Sequence, residues 1–371
     1  MKKKVILVFG TRPEAIKMAP LVKVFEKEKS FFETIVCVTG QHKEMLTQVL
    51  DIFKIRPKYN LEIMKKNQTL FDINNEVLIG MKNIYEAENP DLVLVHGDTS
   101  TTYAAALAAF YMNIDVGHVE AGLRTYNVYE PFPEEFNRQA VSIFAKFNFS
   151  PTKRTQENLL REGKNPKSIF ITGNTVIDAL QTTKDALKHS QHDEWIGNSR
   201  LILLTCHRRE NLGKPMENIF RAVKRLLKEV NDIKIIYPLH KNPIIHELVE
   251  DHFSNETRIK IIPPLDVLEF HHLMKKSYIV MTDSGGIQEE APSLGKPVIV
   301  LRNTTERPEG VEAGTLKLAG TDENNVFNVA LELLSNQTTY FKMSRAINPY
   351  GDGNASKKIV NIIKNELFSK A

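Results

Sequence analysis

The stretch Thr282-Asp283-Ser284-Gly285-Gly286-Ile287-Gln288-Glu289-Glu290 follows an apolar run, Tyr278 to Met281, that reads as a buried strand. It opens a segment of helical character. A Ser-Gly-Gly turn between strand and helix leaves backbone N–H groups uncovered by side chains. Those donors and the positive end of the helix dipole suit an anion, most often a phosphate. Glu290 lies four residues past Gly286, on the same helix face and roughly 6 Å further along. A carboxylate there can accept hydrogen bonds from a sugar diol. An ordinary Ser N-cap followed by surface glutamates fits the same residues, and this segment alone leaves both readings open.

Two other strand ends concentrate functional groups: His96-Gly97-Asp98-Thr99 and His118-Val119-Glu120-Ala121-Gly122. In each, a His and a carboxylate stand two residues apart and share a face if the strand continues. The set suits acid–base chemistry. It also invites a metal, or buried histidines bonded to carboxylates. Thr99 and Ser100 can cap the Ala-rich helix that follows. A third cluster, Glu130-Pro131-Phe132-Pro133-Glu134-Glu135 followed by Asn137-Arg138, puts Glu134 in the first turn of a helix, where its charge also favours the dipole.

Basic groups complete the inventory. Gly10-Thr11-Arg12-Pro13 ends the first strand, with Pro13 suited to a first helical turn and Lys17 about one turn beyond Arg12. Either cation could meet an anionic substrate; a surface pair is the plainer reading, favoured for Lys17. Thr205-Cys206-His207-Arg208 offers His207 as an acid–base group or phosphate partner, while Cys206 on an apolar strand reads as core. Loops around His240 and Arg307 add further basic groups. His271-His272, beside Phe270 and Leu273, reads as structural.

These groups need a scaffold. Short β-branched runs alternate with longer helical patterns: Val5–Phe9, Thr34–Val38, Leu92–Val95, Val116–Val119, Phe147–Phe149 and Ile169–Thr172 as strands, with helices over Glu14–Lys29, Thr69–Glu88 and Ser100–Tyr111. The pattern restarts with Leu201–Thr205, Ile233–Tyr237, Ile259–Ile262, Tyr278–Met281 and Val298–Leu301. Such repetition predicts α/β units with doubly wound parallel sheets. The polar stretch 188–200 places the junction near 175–200. The expected division is 1–175 and 176–354, with the last helix, 355–371, joining the first unit. A cleft between tandem units is expected to hold the site, because ligands sit at the carboxyl ends of parallel strands.

At 371 residues the chain exceeds what one core usually serves. A net charge of +4, from 49 basic and 45 acidic residues, argues for neither nucleic acid nor membrane as a partner. The start Met1-Lys2-Lys3-Lys4 leads straight into a strand, so no signal peptide is expected. No apolar stretch approaches the ~18 residues that span a bilayer. Two distant cysteines, Cys37 and Cys206, exclude a disulfide framework and point to a cytoplasmic protein.

Long blocks carry a family resemblance: GTRPEAIKMAP, HGDT, GHVEAGLRT, PFPEEFNRQ, TGNTVIDAL, HRRENLG, TDSGGIQEEAPSLGKPV, TTERPEGVEAGT and NPYGDG. In these blocks, which run from Gly10 to Gly353, the chain resembles the non-hydrolysing UDP-N-acetylglucosamine 2-epimerases. The resemblance implies a GT-B fold, two Rossmann-like domains with the active site in the cleft, no metal, no cofactor and a homodimer. It implies that Ser284, Gly285 and Gly286 hold a diphosphate and Glu290 the ribose. Phe270 and the backbone near Leu265 would form the uracil pocket. Arg12, Lys17 and Arg307 would contact nucleotide or sugar, and Asp98, Glu120, Glu134 and His207 would be catalytic.

It also implies the chemistry. C2 of the sugar has no neighbouring carbonyl, so direct deprotonation gives no stabilised carbanion. The family's route is elimination of UDP to a 2-acetamidoglucal, then re-addition on the other face. Which carboxylate is the base is not fixed by sequence. A regulatory UDP-N-acetylglucosamine site of some members would fall on Gln41, Glu44, Asn67, Glu134, Arg208 and His240. Glu44 replaces a Gln and Asn67 an Arg of those members, so weakened or absent activation is expected. A hydrolysing epimerase, a GT-B glycosyltransferase and a non-catalytic nucleotide-sugar sensor are the rival readings.

Overall fold

Runs such as Val5-Ile6-Leu7-Val8-Phe9 are apolar on both faces of a strand, so both faces must be covered. The computed structural model, which describes residues 2–40, 43–65, 67–239 and 243–368 (without the side chains at 43–45, 209, 243 and 244), shows how. The chain divides into two compact units, 1–179 with 350–371, and 180–349.

The first unit holds β1 (Lys3–Phe9), β2 (Phe32–Val38), β3 (Tyr59–Asn60), β4 (Leu92–His96), β5 (Asp115–Val119), β6 (Phe147–Ser150) and β7 (Ile169–Ile171). They form one parallel sheet in the order β3-β2-β1-β4-β5-β6-β7. Val5, Leu7 and Phe9 pack with Met18, Leu21, Val22 and Phe25 on one face. Ile6 and Val8 pack with Val77, Met81, Ala105 and Ala109 on the other. The terminal helix Ala355–Phe368 belongs to this unit. Its Ile359, Val360 and Ile363 join the first of those clusters. Buried Asp178 caps it, accepting from the N–H groups of Ala355 (3.1 Å) and Ser356 (2.8 Å).

The second unit repeats the plan with β8 (Arg200–Thr205), β9 (Ile233–Pro238), β10 (Ile259–Ile262), β11 (Ile279–Thr282), β12 (Val298–Val300) and β13 (Leu316–Leu318). Their order is β10-β9-β8-β11-β12-β13, all parallel. Ile202 and Leu204 face one core cluster, Leu201 and Leu203 the other. The short β3 and β13 were not anticipated from sequence. In both sheets the winding reverses between the first and fourth strands, which makes the carboxyl ends of β1/β4 and of β8/β11 the switch points where ligands bind.

Among the described residues, no helix is long and apolar enough to cross a membrane.

Candidate active site

At the first switch point, Thr11 caps the helix Arg12–Lys27 in a capping box with Glu14. Buried Glu14 does more than cap. One oxygen accepts from the N–H groups of Gly10 (3.0 Å) and Thr11 (2.7 Å), the other from Thr99 Oγ1 (2.6 Å) and Thr102 Oγ1 (3.1 Å). It therefore binds the loop after β1 to the loop after β4. Gly10 is required where these loops meet: a Cβ there would lie 2.1 Å from Thr39 Oγ1 and 2.6 Å from Thr101 Oγ1.

Glu120, just past β5, sits at φ +64°, a left-handed conformation costly for a non-glycine residue and typical of functional positions. Its Oε2 pairs with Lys17 Nζ and accepts from Asn174 Nδ2 at 2.6 Å, with His96 Nε2 3.6 Å away. Burial works to raise this carboxyl, but Lys17 and His96 together outweigh it and hold Glu120 well below the usual carboxylate range. Lys17, read from spacing as a surface cation, is instead the half-buried partner of this anion, with 14% of its side chain exposed. Buried His118 donates its Nε2–H to the Gly97 carbonyl (2.7 Å), and burial drives its pKa down to about 4, so it is neutral.

Asp98 is set differently. Burial raises its carboxyl, Arg138 opposes with Nη2 3.0 Å from Oδ2, and Glu120 and Glu134 add to the rise. Asn137 Nδ2 donates to the Asp98 carbonyl at 2.8 Å. Two nearby carboxyls are thus pushed apart, one firmly ionised and one closer to neutrality, the division of labour expected of acid–base pairs. Glu134 is the first residue of the helix Glu134–Phe144, half-buried, as expected. Arg12 is half-buried at the first position of its helix.

At the second switch point, β11 runs into the turn Asp283-Ser284-Gly285 and the helix Gly285–Glu290. Ser284 stands at the N-cap position, but its side chain makes no capping bond. That leaves the first amides of the helix uncapped, which the anion reading requires and the ordinary N-cap reading does not. A Cβ on Gly286 would meet nothing within 4 Å, whereas one on Gly285 would lie 3.6 Å from Arg307 Nη2 and 3.9 Å from Arg208 Nη2. Two guanidinium groups thus stand over an open, glycine-floored turn. Glu289 pairs with Arg307 Nε and aims it.

Fully buried Asp283 organises the facing loop after β8. Its Oδ2 accepts from the N–H groups of His207 (2.8 Å) and Arg208 (2.8 Å) and from Asn211 Nδ2 (3.0 Å). Oδ1 lies 3.6 Å from His207 Nδ1 and makes no hydrogen bond among the described residues. Glu290 is nearly buried. Leu265 and Phe270, half-buried, pack against the core cluster that includes Leu273 and Ile287. Cys206 is buried and burial pushes its thiol well up, so it is core, as read.

Of the residues expected at a regulatory site, Gln41 and His240 lie outside the described residues, as does the side chain of Glu44. Asn67 is exposed in a turn at φ +62°. Arg208 belongs to the cation pair over the turn. Sequence reading gave no role to Asn174, Arg138, Asp283 or Glu289. Each stood inside a quoted block, but only the fold reveals its partner.

Two doubly wound parallel sheets in tandem, one ending in half-buried carboxylates and the other in a cation-lined glycine turn, define an α/β protein of the GT-B type. The family model for UDP-N-acetylglucosamine 2-epimerase matches residues 25–364, and the chain belongs to that family of isomerases. The UDP-N-acetylglucosamine 2-epimerase of Bacillus subtilis (strain 168) is 56% identical over 362 residues, spanning 97% of this chain and 95% of its own length. A solved structure from Listeria monocytogenes is 53% identical with a TM-score of 0.95, covering 100% of this chain and 98% of its own. The UDP-GlcNAc 2-epimerase from Neisseria meningitidis, solved bound to UDP-GlcNAc, is 48% identical with a TM-score of 0.90, covering 97% of this chain and 99% of its own.

Proposed function

We propose that the protein inverts C2 of UDP-N-acetylglucosamine, reversibly giving UDP-N-acetylmannosamine, by eliminating UDP to a 2-acetamidoglucal and adding it back. The observation that carries this reading is the contrast between Glu120, held ionised by Lys17, and Asp98, pushed up by burial. Elimination needs a base at C2–H, charge stabilisation at the anomeric centre and donors on the departing diphosphate. Asp98 and Glu120 act at the C2 proton and Glu134 supports the ring. His207, Arg307 and the Ser284-Gly285-Gly286 turn take the diphosphate, Glu290 the ribose, and Phe270 with the Leu265 backbone the uracil. Arg12 reaches the substrate's phosphates or sugar. Retention of the nucleotide is as important as its release, since UDP must return to C1.

Proton NMR of UDP-N-acetylglucosamine turned over alone in heavy water tests the route. The expected product carries deuterium at C2, and free UDP does not accumulate. Epimer with no deuterium at C2 would overturn the mechanism. Free UDP formed at the rate of inversion would make the enzyme a hydrolase.

The protein acts as a homodimer in the cytoplasm, and its product feeds surface polysaccharide synthesis. An apolar face supports the dimer. The helices Leu70–Glu88, Ser100–Tyr111 and Glu134–Phe144 pack side by side and expose Phe71, Ile79, Phe110, Tyr111, Phe136 and Ile143. Phe110 lies 4.9 Å from Phe144 and Tyr103 5.6 Å from Phe136, ring centre to ring centre, so the helices Ser100–Tyr111 and Glu134–Phe144 meet through their rings. An apolar surface of this kind marks an association site. In sedimentation velocity, wild type is expected as a dimer and the double variant Phe110→Lys, Ile143→Lys as a folded monomer. A dimer that survives both charges would refute the assignment of this face.

A further inference from the structure

We propose that His271, held by Thr183, is a positioning residue for the carboxylate of Glu290. The inference rests on the reading above that Glu290 holds the ribose. His271 is buried, 1% exposed, on the helix Val267–Lys276. Its Nδ1 lies 2.6 Å from Thr183 Oγ1. Its Nε2 faces Glu290 Oε2 at 3.8 Å. Both contacts lie within the second unit.

The tautomer follows from what each nitrogen meets. A lone pair on Nε2 would face a carboxylate oxygen and repel it, so the proton belongs on Nε2. Nδ1 is then an acceptor, and the Thr183 hydroxyl donates to it. The nearby Leu180 carbonyl, 3.4 Å from that hydroxyl, already accepts from the Lys184 N–H at 2.8 Å. At 2.6 Å the imidazole nitrogen is the much closer acceptor for the hydroxyl proton. The chain Thr183 O–H to His271 Nδ1, then Nε2–H toward Glu290, fixes the imidazole at one end and aims a donor at one carboxylate oxygen. Glu290 Oε1 is left for the ligand.

Glu290 needs such a partner. It is 9% exposed, on the short helix that begins at the glycine turn, and its carboxylate accepts no hydrogen bond among the described residues. A nearly buried carboxylate without a donor carries a desolvation cost. An imidazole N–H supplies direction to the carboxylate that a ribose diol seeks. The arrangement resembles the way outer ligand partners orient metal-binding side chains, with a sugar hydroxyl in place of the metal.

Calorimetric titration of the full-length protein with UDP and with 2′-deoxy-UDP tests this. Wild type is expected to prefer UDP by about tenfold, the range for a hydrogen bond to a charged group. His271→Phe keeps the ring and removes the donor. It should lose about fivefold for UDP and less than about twofold for 2′-deoxy-UDP. Thr183→Val, which keeps the shape and frees the imidazole, should show a smaller loss of the same selective kind, and it stands as the test if His271→Phe does not fold. Equal weakening of both nucleotides, or no weakening of either, would overturn the proposal. Glu290→Ala is the separate control: full discrimination retained there would remove the ribose reading itself and leave His271 as core.

Discussion

Lys17→Met is expected to destabilise the protein by about 3 kcal/mol at neutral pH and to cut turnover at least about a hundredfold. The side chains of Lys17 and Glu120 are 14% and 8% exposed, so water does little to replace the lost cation. Removing one member of a buried pair leaves an uncompensated charge, whereas removing both is often close to neutral. Lys17→Met combined with Glu120→Gln should therefore recover most of the stability while turnover stays lost. Urea unfolding of the single and double variants reads the first effect. A double variant no more stable than Lys17→Met would refute the pairing.

The pH dependence follows with a definite sign. Glu120 in the folded protein lies well below its ordinary value of 4.5. A lowered carboxyl contributes stability that is complete above the unfolded pKa and is lost as pH falls through the folded one. In Lys17→Met the main opposing charge is gone while burial remains, so the Glu120 pKa moves up. Residual kcat/KM should then fall off at a higher pH on its acid side than in wild type. An unshifted acid limb would mean that Glu120 does not govern it.

How much of this was legible in the chain depends on whether the signal was local. Runs such as Leu201–Thr205 announce a strand covered on both faces by themselves. Two-residue β3 and three-residue β13 are too short for any period, and they exist because a neighbouring strand offers an edge. The carboxylates were legible because each ends an apolar run, where parallel sheets present their loops. Their partners were not. Asn174 reaches Glu120 across 54 residues, and Asp283 reaches His207 across 76. Lys17 is the sharpest case. Helical spacing puts it one turn past Arg12 and says nothing of the anion that awaits it just past β5, about a hundred residues further along the chain. The Ser-Gly-Gly turn was correctly read as a strand-to-helix junction. Spacing could not decide between capped and anion-binding forms, because that depends on where one serine hydroxyl points and on two arginines from other loops.

Asp283 is the residue whose loss should separate architecture from chemistry. One oxygen gathers two amides and a carboxamide, so Asp283→Ala would orphan the two half-buried amides and leave Asn211 Nδ2 with the Leu301 carbonyl in place of two strong acceptors. Charge-assisted bonds of this kind are worth about 1.5–3 kcal/mol each before compensation by water. The loop after β8 carries His207 and brings Arg208 to the glycine turn, so its loosening should weaken UDP binding by about tenfold or more and lower turnover further. Asp283→Asn asks a finer question. Its remaining oxygen can keep the three donors, and its NH₂ then faces His207 Nδ1, where Asp283 Oδ1 stood at 3.6 Å. An amide there forces the imidazole into the opposite tautomer, with its proton on Nε2. If His207 works through Nε2, turnover should drop by about a hundredfold or more while UDP affinity stays within about threefold, as when the carboxylate of a catalytic Asp–His pair is made neutral. Calorimetry with UDP and initial rates of epimer formation separate the two effects. Full turnover in Asp283→Asn would show that Oδ1 does not set the His207 tautomer. Unchanged UDP affinity in Asp283→Ala would show that the loop is held by something else. Wild-type turnover in one variant with wild-type affinity in the other would leave Asp283 as a strand-end residue with no part in the reaction.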